Sequence, residues 1–118
     1  KPFDLSIDDT SVYFTLAQKG QLMKVSKTGG AVTKIASGLA PSARIAADAK
    51  GIVTTAAAVG SDGTEMLVFM GSDGSSPTPL ASIARNHSAD AVALDEKCVY
   101  WASYNPDTRK ATLYSRAR

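Results

Sequence analysis

Short runs of aliphatic, aromatic and β-branched residues follow one another along the whole chain, each closed by Gly, Ser, Asn, Asp or Pro after ~8 to 12 residues. That punctuation predicts strands. An amphipathic helix needs apolar residues at a period of 3.6, and Gly, Ser, Thr and Val recur too often here for such a stripe. The alanines Ala56-Ala57-Ala58 are the one place where a helix could be argued. They fall inside residues 52–59, where the register of the rest of the chain predicts a strand whose small side chains tuck under a neighbouring sheet.

The runs repeat. Leu5-Ser6-Ile7-Asp8, Ile45-Ala46-Ala47-Asp48 and Val92-Ala93-Leu94-Asp95 each end in an aspartate, and Asp8, Asp48 and Asp95 lie 40 and 47 residues apart. Four residues past each one, a β-branched residue opens a second strand: Val12-Tyr13-Phe14-Thr15, Ile52-Val53-Thr54-Thr55 and Val99-Tyr100-Trp101-Ala102. The short linkers between suit tight hairpins. They leave each aspartate at a strand end, where its carboxylate can accept turn amides. Third strands follow at Leu22-Met23-Lys24-Val25-Ser26, Leu67-Val68-Phe69-Met70 and Ala111-Thr112-Leu113-Tyr114-Ser115. A glycine-rich turn and a fourth strand over residues 28–37 recur 45 residues on, over 73–82, and have no third copy.

A period of ~40 to 45 residues is that of a four-stranded propeller blade. The expected fold is all-β: about three four-stranded antiparallel β-propeller blades in a single repeat domain, residues 1–118. The repeats fall at about 4–38, 44–83 and 91–118, the last lacking its outer strand. Length varies mainly between second and third strands, where Ala17-Gln18-Lys19-Gly20 is short and residues 59–64 and 104–109 are longer.

Composition narrows the function classes. A net charge of +2 with mixed signs leaves no basic stripe to neutralise a row of phosphates, so nucleic acid is not expected. The basic residues Arg109, Lys110, Arg116 and Arg118 read as a solvated strand face or chain end. One cysteine, Cys98, excludes an intrachain disulfide and a multi-cysteine zinc site, and its place before Val99-Tyr100-Trp101 makes it a small buried hydrophobe. No apolar run approaches the ~20 residues of a membrane span. The start at Lys1 reads as a trimmed or mature boundary.

Around Val99-Tyr100-Trp101-Ala102-Ser103 the chain resembles the Tyr-Trp-Thr-Asp family of six-bladed propellers, as found in LDL-receptor-type proteins, and related bacterial propeller-like repeats. Tyr13-Phe14-Thr15, Thr54-Thr55, Tyr100-Trp101 and the Asp73-Gly74 turn carry the likeness, which covers nearly the whole chain. The family's closing aspartate is replaced by Leu16, Ala56 and Ser103. The resemblance implies binding roles and an extracellular or periplasmic location. Asp8, Asp48, Asp95, Tyr13, Tyr100 and Trp101 are accordingly the structural positions of the repeat.

A wedge of three blades would leave two apolar faces in water. The expected partners are therefore a second copy, completing a six-bladed ring as a homodimer, or further blades of a longer chain. Ligands of propellers sit on the loops between outer and inner strands and between second and third strands. Those loops nominate Arg44, Arg85, Asn86, His87, Tyr104 and Asn105 for a protein or glycan ligand, the arginines by charge-assisted bonds and the tyrosine by stacking. His87 is the lone histidine, which excludes a His-based metal cage, and Ser88 and Asp90 lie too near it in sequence to form a triad. Asp4, Asp62, Asp90 and Asp107 lack the dense spacing of a calcium loop, and no motif implies a metal or cofactor. The leading expectation is a non-catalytic binding or scaffold module. The alternative is half of an assembled hydrolase or lactonase with a metal at the axis.

Overall fold

A computed structural model of the chain describes residues 1–16, 18–57 and 64–118. Among these there is no helix. The strands are β1 (Pro2–Ile7), β2 (Ser11–Leu16), β3 (Gln21–Ser26), β4 (Thr33–Ala36), β5 (Ile45–Asp48), β6 (Gly51–Ala56), β7 (Met66–Met70), β8 (Thr78–Ser82), β9 (Ser88–Leu94), β10 (Cys98–Asn105) and β11 (Lys110–Ala117). They form three antiparallel sheets in sequence order: β1-β2-β3-β4, β5-β6-β7-β8 and β9-β10-β11. These are the blades that the spacing predicts, and the third has three strands.

Each blade is a meander because its linkers are too short for any other connection. Leu5 pairs with Phe14, Ile45 with Thr54 and Val92 with Trp101, so the aspartate register is kept in all three. Strand side chains alternate between faces, and a blade offers an apolar face to each neighbour. Packing therefore lies between blades. One core seam joins Tyr13 and Leu22 of the first blade to Ile45, Ile52, Val68 and Met70 of the second. The other joins Val53 and Leu67 of the second to Val99 and Trp101 of the third. Tyr13, Leu22, Ile52, Val53 and Leu67 are completely buried, each worth ~1.5 to 3 kcal/mol for an aliphatic or aromatic side chain leaving water.

Polar groups cross the seams as well. Asp4 Oδ2 accepts the Ile45 amide at 3.0 Å, Ser6 Oγ accepts that of Ala47 at 3.0 Å, and the buried Thr15 hydroxyl donates to the Ala43 carbonyl at 3.0 Å. Lys24 Nζ reaches the Ser72 carbonyl at 3.0 Å. The turn that carries Ser72 needs a glycine: Gly74 has φ +83°, and a Cβ there would collide with the Ile35 carbonyl of the first blade.

Strand β6 stops at Ala56, earlier than the run of alanines suggests. The Ala57 amide is bound instead by the Gly38 carbonyl of the preceding connection at 2.9 Å, which draws the chain off the ladder. Ala58, the connection through Ser61 and Asp62, and Ala17 lie outside the described residues.

Candidate functional site

The blades share two ends. At one lie the hairpins of Asp8, Asp48 and Asp95. Asp8 Oδ1 accepts the Thr10 and Ser11 amides at 2.9 and 2.8 Å, and Oδ2 accepts the Tyr13 hydroxyl at 2.7 Å. Asp95 repeats the arrangement with the amides of Lys97 and Cys98 at 2.8 and 2.7 Å and the Tyr100 hydroxyl at 2.7 Å. Burial pushes the Asp8 carboxyl up, but the bonds from Tyr13, Thr10 and Ser11 outweigh it and hold the group below its ordinary value. The Tyr100 hydroxyl holds Asp95 down, helped by the two amides. In return, burial and the Asp8 bond push Tyr13 up to about 12, and the Asp95 bond pushes Tyr100 up to about 12. Each phenol thus stays a neutral donor.

Asp48 differs because Val53 stands where the tyrosine would be. Its Oδ1 accepts the Lys50 amide at 2.9 Å and Arg118 Nη2 at 3.0 Å, while Arg118 Nη1 bonds Oδ2 and, at 2.8 Å, the Asp95 carbonyl. The Arg118 bonds hold the Asp48 carboxyl below its usual range despite burial. All three aspartates have every carboxylate oxygen engaged within the fold.

The opposite end is different in kind. There the inner strands begin, and a cavity of ≈ 270 Å³ is lined by Phe3, Ser42, Arg44, Glu65, Ser88 and Asp90. Half-buried Arg44 directly precedes β5, whose first residue Ile45 is buried in the seam, and its guanidinium lies over the Phe3 ring at 4.6 Å. Stacking there holds the fork flat while leaving its N–H edge free for hydrogen bonds. Glu65, just ahead of β7, is half-buried, and burial pushes its carboxyl up. Ser88 Oγ donates to Asp90 Oδ1 at 2.7 Å. A cation on an aromatic plane, a carboxyl of raised pKa and a Ser–Asp pair can together grip a ligand carrying both donors and acceptors.

Of the residues nominated from sequence, this cavity takes Arg44 alone. Arg85 and Asn86 are exposed in the connection from β8 to β9, Asn86 at φ +63°. His87 Nδ1 lies 3.3 Å from the buried Ser103 hydroxyl. Tyr104 and Asn105 close β10, where Asn105 Oδ1 accepts the Asp107 amide at 3.0 Å to build the turn. Phe3 and Glu65 belong to the cavity and were not legible as site residues; an acid directly before the apolar run Met66-Leu67 is the one signal for Glu65. Among the described residues no cluster of three or more His, Cys, Asp or Glu could hold a metal ion. Asp4 is occupied by a backbone amide and Asp107 sits in an exposed turn, while Asp62 is outside the described residues. No helix among the described residues is long and apolar enough to cross a membrane.

No family model and no curated protein sequence matches the chain. Solved structures do. The nidogen propeller in a crystal structure of a nidogen/laminin complex superposes on 95% of this chain with a TM-score of 0.68 at 21% sequence identity. This chain spans 47% of that one, just under half its length. Similarity at that level concerns the fold alone, an all-β arrangement of partial β-propeller blades.

Proposed function

We propose that this chain is part of a non-catalytic β-propeller that binds a protein or carbohydrate partner on the end where its inner strands begin, in the extracellular or periplasmic space. One observation carries this: a cavity at which the inner strands of all three blades meet is lined by Arg44 stacked on Phe3, Glu65, and the Ser88–Asp90 pair. At the other end the repeat aspartates are saturated by the fold's own donors. The solved neighbour comes from a complex between two proteins, which accords with a binding role. Arg85, Asn86, His87, Tyr104 and Asn105 form the surrounding loop surface that a macromolecular partner would cover.

The test is a glycan array alongside a protein pull-down, with affinities then measured for Arg44→Ala and Glu65→Gln. Loss of a charge-assisted bond of ~1.5 to 3 kcal/mol weakens binding by about tenfold to a hundredfold. A ligand held equally well by both variants refutes the site.

A further inference from the structure

On the reading of the Arg44 cavity as the binding site, we infer that its partner is a protein presenting two opposite charges side by side, a carboxylate laid on Arg44 and a cationic side chain laid on Glu65. Among the described residues four carboxylates are half-buried: Asp4, Asp8, Asp48 and Glu65. Donors of the fold meet the three aspartates. Asp4 takes the Ile45 amide, Asp8 two amides and the Tyr13 hydroxyl, and Asp48 the Lys50 amide and Arg118. Glu65 has no such bond, and burial alone acts on its carboxyl.

The cations divide in the same way. Lys24, Arg44 and Arg118 are the half-buried ones among the described residues. Lys24 Nζ meets the Ser72 carbonyl, and Arg118 meets Asp48 in the one ion pair among those residues. Arg44 lies over an aromatic ring and meets no acceptor there. Two half-buried charges are thus unmatched among the described residues, one of each sign, and both line the same cavity. They make no ion pair with each other: the guanidinium is held over Phe3 of the first blade, while Glu65 stands just ahead of β7. Burying a charge without a partner costs stability, and a binding site keeps such a cost when the ligand supplies the missing group.

Charge complementarity then selects the ligand. A group that is only anionic would meet Arg44 but stand beside two carboxyls, Glu65 and Asp90. A group that is only cationic would stand beside Arg44. A neutral sugar can hydrogen bond both groups but neutralises neither. An Asp or Glu close to a Lys or Arg on a protein surface answers both, its carboxylate on the planar fork of Arg44 and its cation on Glu65. Asp90, whose Oδ1 already takes the Ser88 hydroxyl, offers that cation a second carboxylate. The solved neighbour, from a complex between two proteins, accords with this class of partner.

The experiment presents the full chain to an array of short peptides in which one Asp stands close to one Lys, together with versions carrying Asn for Asp, Gln for Lys, or both. Neutral and uronic oligosaccharides and free amino acids are tested alongside, with affinities by fluorescence polarisation or calorimetry. The mixed-charge peptides should bind, and removing either peptide charge should weaken them by about tenfold or more. These changes are made in the peptide, so they do not depend on the folding of any variant. Arg44→Ala should then erase the preference for Asp over Asn and keep that for Lys over Gln, while Glu65→Gln should do the reverse. Peptide preferences that neither variant alters, an array with no peptide bound, or free amino acids held as tightly as the peptides overturn the inference. Binding confined to oligosaccharides also overturns it; if Arg44→Ala weakens that binding, the cavity stands as the site and only the class of partner changes. Binding indifferent to both variants removes the cavity as well.

Discussion

Leu22 and Leu113 occupy the same place in their blades, and replacing each with alanine removes the same hydrocarbon from two different surroundings. Leu22 is wholly buried against the second blade, so Leu22→Ala loses its transfer free energy and leaves a cavity, at a cost of about 2 to 5 kcal/mol. Leu113 keeps about a quarter of its surface covered, 74% being exposed, and a quarter of the ~1.5 to 3 kcal/mol for full burial is roughly 0.4 to 0.8 kcal/mol. Urea unfolding followed by far-ultraviolet circular dichroism measures both, with the midpoint shifting and the slope unchanged. The two variants should differ several-fold in cost. Equal costs in dilute solution, or less than about 1 kcal/mol for Leu22→Ala, would refute the assignment of Leu22 to a seam and Leu113 to an open face.

A double-mutant cycle on Asp8→Ala and Tyr13→Phe should give a coupling of about 1 to 2 kcal/mol, since the pair shares a 2.7 Å hydrogen bond at the edge of a dry seam; the matching cycle on Asp95 and Tyr100, open to solvent, should give a smaller one. Stability should be flat in neutral solution and fall at both extremes of pH. Asp8, Asp48 and Asp95 are held below their ordinary values, so what they contribute is complete above the unfolded value of about 4 and is lost as pH falls through the folded one. Tyr13 titrates at about 12, so stability should also decline as pH rises from its unfolded value of about 10. Glu65 has the opposite sign to the aspartates, and Glu65→Gln should raise stability at neutral pH, read as a higher urea midpoint. Gly74→Ala should cost more than about 2 kcal/mol, because the residue combines φ +83° with a Cβ that strikes a backbone carbonyl of the neighbouring blade; a neutral result would mean the turn can move.

Strand number and order were legible because blade assembly repeats a local pattern. Three aspartates in constant register with the β-branched residue four places on place the first hairpin of each blade, and Ala111 to Ser115 marks the third strand of the third blade. The end of β6 was not legible, because Ala57 is diverted by Gly38, a contact made by a residue nineteen places away in sequence. The site was less legible than the fold. Arg44 could be nominated from its loop, but Phe3 and Glu65 reach the same cavity from the first and second blades, and nothing local to either marks the meeting. Asn105 was nominated from its loop, and the bond its side-chain oxygen accepts from the Asp107 amide, which builds the turn after β10, shows only in the structure.

The exchange at Asp48, where Val53 supplies no hydroxyl and Arg118 of the next blade supplies two N–H groups, bears on how the chain avoids misfolding. Tandem units with identical edges can mispair, one strand taking its neighbour's place at little energetic loss. Here the second blade binds its carboxylate with the Lys50 amide and a side chain from the third blade, while the first and third take a tyrosine hydroxyl of their own. A strand set inserted out of sequence would forgo the Arg118 bonds to Asp48. The irregularity in the repeat therefore works as an address, and it is the departure from the pattern, more than the pattern, that tells each blade its place.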